Sequence, residues 1–532
     1  MRSWCLFVTA AAAALIVMPA QADVQISASS TAHVRCSGSV CTPTAKNAVL
    51  NATDLASMLA ASDVKVVTGN GAVSISVSAS FSWTSTHRLT LDAHDDVTFG
   101  TPVVVAGQGS VTIVTSDGGT GGDLIFLDGG KLDFWDAASS LVVNGANYTL
   151  VSDIATLARN IKAVPSENYA LAKDYDATPD GTYAAAPILA FAGTFEGLGH
   201  AISNLTVAHV SGKAVRNVGL FATSSGTIRD IGLLNANITV GARRGNNYAG
   251  ALAGQNLGTI LRAYTTSTVD YTDYGSHTSL GGLVAVNKGT ILLSHSNSTV
   301  RLGGGLVGEN YAMISQCYSS GAVNGDPNFA TFGGGLAGTN GAGATITLSH
   351  SNATVSGGFA AGGLLGFNNG IVTLSFAEGH VSGPDAGGLS GGVSQYSGGS
   401  ISNIYSTATV TGTGQHDVIG GLIGESGEHT VISFAYATGA LSSQHAFALG
   451  GVLGADYASQ PATFMDAYWD LTTSRESDTS KGDGTVPNKP GITGLTDKQL
   501  KAALPDGFDP TIWGRKKTIN NGYPYLLANP PQ

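Results

Sequence analysis

Between residues 281 and 368 the chain alternates apolar and polar positions in short runs, and the whole pattern repeats. The block GGLVAVN (281–287) returns as GGLVGEN (304–310), GGLAGTN (334–340) and GGLLGFN (362–368). Each block leads into a strand-like run such as TILLSHSNSTV or MISQCYSSGAV. The central apolar position reads Leu220, Leu252, Leu283, Leu306, Leu336, Leu364, Leu389, Leu422 and Val452, at intervals of 23 to 33 residues. Each unit holds short period-two runs broken by Gly and Asn, with no helical period inside it. A unit this short cannot bury its own apolar positions, but copies stacked along an axis cover Leu with Leu. A propeller needs about 40 to 50 residues per blade, and uneven spacing suits coils whose insertions bulge outward. The pattern predicts an all-β chain folded as a right-handed parallel β-helix, a solenoid with short capping helices.

Two further columns emerge when the units are aligned. Four residues after the repeat Leu stand Asn256, Asn287, Asn310, Asn340 and Asn368, and then Val393, Ser426 and Asp456. Amides stacked at the inter-strand spacing can donate to one neighbour and accept from the other, which predicts a structural Asn ladder. The second column is Tyr264, His295, Tyr318, His350, Phe376, Tyr405 and Tyr436, each preceded by a mostly small residue: Ala263, Ser294, Cys317, Ser349, Ser375, Ile404, Ala435. Neighbours in a strand face opposite sides, and a bulge can shift the phase. Stacked rings stabilise one another by about 0.5–1.5 kcal/mol per pair, so the rings are expected inside, with the Cys317 thiol outside and open to labelling. Turned outward, the seven rings would instead form a flat stripe for sugar rings, and they are the candidate ligand-binding residues.

The GG-L-x-G-x-N block, followed by I-x-x-S-Y/H-S-x-x-x-V, resembles the GLUG repeat of bacterial surface proteins, among them filamentous haemagglutinin-like adhesins and certain IgA-cleaving peptidases. The resemblance covers roughly 195–469, and the segment FAGTFEGLGHAISNLTV (191–207) is similar to the lead-in of those proteins. It implies a β-helical scaffold and an adhesin-like role. The HExxH motif of metallopeptidases is absent, as are the NPNL and NPNGI motifs of two-partner secretion.

Around the repeats the chain divides as follows. Residues 1–22 read as a signal peptide: Arg2, an apolar run, and Ala20-Gln21-Ala22 before Asp23. Residues 23–62 form an N-terminal cap, with a disulfide expected between Cys36 and Cys41 in CSGSVC and a helix at NATDLASMLAAS with Thr53 as its N-cap. Alternating runs over 63–150 predict early coils. Residues 151–194 read as an insertion whose helix, DIATLARNIKA, packs on the side of the rod. The repeats occupy 195–469. Residues 470–532 form a loop and cap, with a helix capped by Thr496 and with Trp513, Tyr523, Tyr525 and Leu526 expected over the last coil.

Charge and chemistry narrow the function. Charged residues are 11 %, against roughly 25 % in ordinary domains, and the net charge is −11. No basic stripe offers a nucleic-acid partner, and no later run is long enough for a membrane span. Neither a cofactor nor a metal site is expected: GGGLVG and GGGLAG match GxGxxG without a helix after them, and only His33 stands near the cysteine pair. GLSGG around Ser390 matches a nucleophile elbow but merely follows a repeat Leu. A polysaccharide lyase or hydrolase needs converging carboxylates. The candidates are His94-Asp95-Asp96, Asp174-Asp176-Asp180 and Glu425-Glu428-His429, with no second acidic column aligned one coil away. The expectation is an exported, non-enzymatic, adhesin-like solenoid that binds a glycan or a host or cell-surface protein. The alternatives are a glycan-cleaving β-helix or a purely structural extracellular component.

Overall fold

The computed structural model describes residues 23–69, 72–117, 121–209, 216–241, 245–273, 277–326, 331–393, 399–457 and 462–531. The signal segment expected at 1–22 lies outside the described residues. Strands pair in parallel with their counterparts one coil away, giving a mostly-β parallel solenoid of about 12 turns with a few short helices.

One repeat coil shows the construction. Strand His277–Gly281 ends at the glycine pair, the chain turns through Gly282 and Leu283, and Val284–Asn287 runs along the next side. The glycines stand there because backbones crowd the corner: a Cβ on Gly281 would lie 2.0 Å from the Val284 carbonyl oxygen, and one on Gly282 would lie 2.1 Å from that of Gly305. Close approach rather than a left-handed backbone makes them necessary. All nine repeat leucine positions, from Leu220 to Val452, are fully buried. The buried Asn column is a continuous amide chain, with Asn256 Nδ2 donating to Asn287 Oδ1 at 2.8 Å and the relay passing through Asn310 and Asn340 to Asn368. It lapses at Val393 and returns as Ser426 donating to Asp456.

The aromatic column reverses the expected phase. Ile291 points inward from Thr290–Leu292, Leu293 adopts φ +50°, and strand His295–Arg301 follows. The same left-handed corner recurs at Arg262, Gln316, Leu348, Leu374, Asn403, Phe434 and Asp466. It adds one residue to the period-two count, so the small column faces the core and the rings face out. Ala263, Ser294, Cys317, Ser349, Ser375, Ile404 and Ala435 are all buried. Their chemistry serves the corner: Ser294 and Ser349 Oγ donate to the Leu292 and Thr347 carbonyls at 2.7 Å, and Ser349 Oγ accepts from the Cys317 amide. Cys317 Sγ takes the same place, 3.2 Å from the Ser315 carbonyl.

The solenoid consists of two bodies joined through one sheet. In the first, residues 24–143 wind through strands such as Ile75–Val77, Phe81–Trp83 and Arg88–Asp92. Cys36 and Cys41 are disulfide-bonded across its opening hairpin. Helix α1 (Ala52–Ala61) contributes Leu55 and Leu59 to this core; its N-cap is Asn51, whose side chain accepts from the Thr53 and Asp54 amides, rather than Thr53. Ser140–Val143 then forms a hairpin with Ala146–Val151, whose next partner, Asn168–Leu171, is parallel. Leu141, Leu150 and Ala170 face the first core, whereas Val151, Tyr169 and Leu171 face the second. The two interiors therefore lie on opposite faces of the shared sheet. Helix α2 (Ile154–Ala163) buries Ile154, Leu157 and Ile161 in the second core, closing its near end rather than lying along the side.

Beyond the last repeat, residues 471–495 cap the rod through contacts such as the Val452 amide on the Gly482 carbonyl. The segment from 496 onward does not join that cap. It starts with helix α3 (Asp497–Ala502), held by a Thr496–Gln499 capping box, and turns back along the outside of the coils. Trp513, Tyr523 and Leu526 bury themselves there against Phe376, Tyr405, Tyr436 and Tyr468.

Leu306→Ala or Leu336→Ala, each opening a hole in a column that has no slack, is expected to cost about 2–5 kcal/mol in chemical denaturation. Cys317 is 1 % exposed, and burial pushes its thiol pKa up to about 12. It should resist a bulky maleimide in native buffer and react once denaturant is added; rapid native labelling would contradict the phase described above.

Candidate functional site

The outward rings form a single stack. From Tyr264 to Tyr436 successive centroids lie 5.4, 4.5, 5.3, 4.7, 4.7 and 5.2 Å apart, with planes within 10° of parallel. Parallel registry places each ring directly beside the next, and Tyr468 extends the column to an eighth position. Rings lying side by side in one plane cannot come this close, so they overlap face to face with an offset. Their faces are occupied by one another. What each coil presents to solvent is an edge, bearing a hydroxyl on Tyr264 and Tyr318 and an imidazole nitrogen on His295 and His350. The flat stripe for stacking sugar rings does not exist in this geometry. At the head of the column Gly232 holds the ladder position, where a Cβ would lie 2.3 Å from the Tyr264 ring, so that ring leans over it.

The stack is covered at both ends and open between. At the far end the returning segment lies over Phe376, Tyr405 and Tyr436, all fully buried. Tyr436 Oη donates to the Pro524 carbonyl, Tyr468 Oη to that of Asp506, and Trp513 Nε1 to Asn403 Oδ1. Asn529 reaches furthest, donating to the Ser349 and Leu374 carbonyls. At the near end the first body overhangs the sheet with Leu127, Asp128 and Lys131. Half-buried Tyr264, His295, Tyr318 and His350 remain in the trough between them. Its near part is a cleft of about 650 Å³ whose lining includes Leu127, Asp128, Lys131, Arg262, Leu293 and Tyr318.

An ion cluster holds the overhang in place. Arg229 Nη2 and Arg262 Nη1 grip Asp123 of the first body at 2.7 and 2.8 Å, and both guanidinium groups also donate to the Leu124 carbonyl. Arg262 Nε meets Asp230 at 2.6 Å, and Arg229 Nε meets Asp230 and Glu196. Burial opposes ionisation of Asp123, yet the two guanidinium groups outweigh it and hold the carboxyl below its ordinary range. Burial, reinforced by Asp230, drives Glu196 well above its ordinary value. Lys131 pairs with Asp174 at 2.5 Å. The neighbouring His200 first, against the effect of burial, and then Lys131 keep Asp174 well below the usual carboxylate range. The cations around the cleft are thus matched by carboxylates. Burial alone lowers His295 and raises Tyr318, and burial pushes His350 down to about 4 despite a hydrogen bond with Asn529. Both imidazoles therefore stay neutral below the ordinary histidine value near 6.5.

Two of the three acidic groups singled out in the sequence are dispersed into local roles. Asp96 accepts from the Asp123 amide, His94 Nδ1 meets the Asp117 carbonyl, Asp176 holds Thr178 and Asn204, and Asp180 takes the hydroxyls of Tyr175 and Tyr183. A different juxtaposition does appear: Asp385 is pushed up to about 6 by burial, then by Glu425 and Asp417 from the next coil. Sequence alignment of coils missed it because Asp385 and Glu425 stand on different sides of the coil. It also missed the overhang and Arg262, whose only mark was a cation at a corner where other units carry Leu, Gln, Asn, Phe or Asp. Among the described residues, no group of three His, Cys, Asp or Glu side chains is placed to hold a metal ion, and no helix is long and apolar enough to cross a membrane.

No family model matches the chain. Over 146 residues, 27 % of its length, the chain is 31 % identical to Halomucin of Haloquadratum walsbyi, and the match spans 1 % of that protein. A Bacteroides ovatus crystal structure described as a candidate immunoglobulin A1 protease aligns over 72 % of this chain and 92 % of its own, at 16 % identity and a TM-score of 0.33. So loose a superposition adds nothing to the solenoid described above.

A titration test follows from His350. Its folded pKa lies below its unfolded value, so between about pH 6.5 and 4 the unfolded chain binds a proton that the folded chain refuses. Its contribution is a loss of stability as pH falls through that window. Urea midpoints of wild type and His350→Phe, which keeps a ring in the stack, should diverge on acidification, with the wild type losing more; parallel curves would show that the imidazole is not desolvated.

Proposed function

We propose that this chain is a non-enzymatic, adhesin-like solenoid acting outside the cytoplasm, and that it holds a glycan or a host or cell-surface protein along the open part of its ring stack. The observation that carries the reading is the trough: one ladder runs over eight coils, the chain's own segment covers one half and reaches His350 through Asn529, and the edges of Tyr264, His295 and Tyr318 stay open between two built walls. Export is supported by the signal-like segment at 1–22 and by the Cys36–Cys41 disulfide, a bond of oxidising compartments. The resemblance of the repeat to the GLUG type points the same way. The absence of catalysis is supported by the carboxylates around the trough: Asp230 and nearby Asp174 are engaged with Arg262 and Lys131, which leaves exposed Asp128 without a second carboxylate to form an acid-base pair.

One observation favours a glycan-cleaving β-helix instead. Asp385 is pushed up to about 6 by burial and then by Glu425 and Asp417 across adjacent coils, and a carboxyl with a raised pKa near other carboxyl groups is what a general acid requires.

Purified chain applied to a glycan array and to cell surfaces, scored for retention and for sugar release, separates these readings. Retention without release of shortened sugars is expected. Release that disappears in Asp385→Asn would establish the cleaving enzyme, and neither retention nor release would leave a purely structural component.

A further inference from the structure

The two halves of the ring stack differ in chemistry, and the difference identifies what the open half takes. Under the returning segment the column reads Phe376, Tyr405, Tyr436 and Tyr468, with corners at Leu374, Asn403, Phe434 and Asp466; Phe508, Trp513, Tyr523 and Leu526 pack against it, and the Tyr436 and Tyr468 hydroxyls donate to the Pro524 and Asp506 carbonyls. In the open half imidazoles alternate with phenols, with corners at Arg262, Leu293, Gln316 and Leu348. The edges lose their protein partners where the chain's own covering stops. Among the described residues, no protein group hydrogen-bonds to the Tyr264 or Tyr318 hydroxyl or to the His295 ring.

We infer that the open trough binds a neutral, hydroxyl-rich glycan chain lying along the solenoid axis and held by ring edges rather than ring faces; the inference rests on the surface-binding reading above. A phenol and a neutral imidazole each donate and accept one hydrogen bond at the edge, and so does a sugar hydroxyl, so either partner can reorient to satisfy the other. The low pKa of the imidazoles keeps this donor-acceptor character at neutral pH. Charge excludes a polyuronate: Arg262 and Lys131 are already paired with Asp230 and Asp174, while exposed Asp128 adds a negative charge at the wall.

Spacing argues for a sugar over a peptide. The edges recur once per coil, about every 4.8 Å, whereas an extended peptide advances about 3.3 Å per residue and falls out of step within two coils. An extended pyranose chain with equatorial linkages advances by about one coil rise per sugar, so successive sugars meet successive edges. From Tyr264 to Tyr318, the edges without a protein partner, is two coil rises, about 10 Å, which suits two or three sugars. Leu127 and Leu293, 55 % and 46 % exposed within the cleft lining, offer the apolar contact that the C–H faces of such a chain need.

The test is calorimetric titration of the whole protein with neutral xylo-, cello- and manno-oligosaccharides and with oligogalacturonate. Variants Tyr264→Phe and Tyr318→Phe keep the stack and remove one edge hydroxyl each; Tyr457→Phe, on another face, is the control. At least one neutral series should bind, oligogalacturonate should not, and each edge variant should lose affinity about two- to tenfold with an unchanged melting temperature and an unaffected control. Three outcomes overturn the inference: binding of the acidic oligomer alone, neutral binding indifferent to both hydroxyls, or no glycan binding at all. If cells still retain the protein in the last case, the surface-binding reading stands with a protein ligand; if they do not, both fail.

Discussion

Parallel, in-register hydrogen bonding between coils sets one repeat distance, about 4.8 Å, for every side chain in the second body. A column is therefore either suited to that distance or unable to exist. Leucines suit it as a filled core, amides as a donor-to-acceptor chain, and aromatic rings as an offset stack whose natural separation falls in the same range. The inward Asn column and the outward ring column are thus two answers to one spacing. Gly281 and Gly282 meet the same constraint where backbones crowd the corner.

Much of this could be read before the structure. The repeat leucines, the Asn chain, the helices beginning near Asn51 and Ser152, and the Thr496 cap all lie where their patterns suggested, because burial and capping depend on neighbours within one or two coils. The phase of the ring column was not legible. Left-handed corners usually advertise themselves with Gly or Asn, but here Leu293, Gln316 and Leu348 occupy them. The available clue was the serine before three of the rings, whose hydroxyl serves the carbonyl two residues back. The division into two bodies also left a mark, Asn144-Gly145, a strong hairpin signal with φ +49° and +79° in the structure. It was readable as a mere strand end because alternation continues on both sides. The trough was beyond reach, since its walls come from residues more than a hundred positions apart and Trp513 or Tyr523 would serve an end cap equally well.

The site is consequently a product of assembly rather than of any motif. The overhang exists because the hairpin carries the first interior to the opposite face of the shared sheet, and the arginine pair on Asp123 keeps it there. The opposite wall exists because the returning segment finds in Phe376, Tyr405 and Tyr436 an apolar surface that the first four rings do not offer. Binding chemistry and self-covering chemistry share one column and are separated only by which rings it contains.

The left-handed corners have one more consequence. A residue with a Cβ in that conformation stores roughly 1–2 kcal/mol, and a ring pair returns about 0.5–1.5 kcal/mol, so within each coil the two nearly cancel and the buried leucine and isoleucine decide the sum. Because stacked repeats add their free energies coil by coil, a whole coil gained or lost carries its strain and its compensation together. The length of this rod is free to drift by whole coils, whereas the angle at its corner is not.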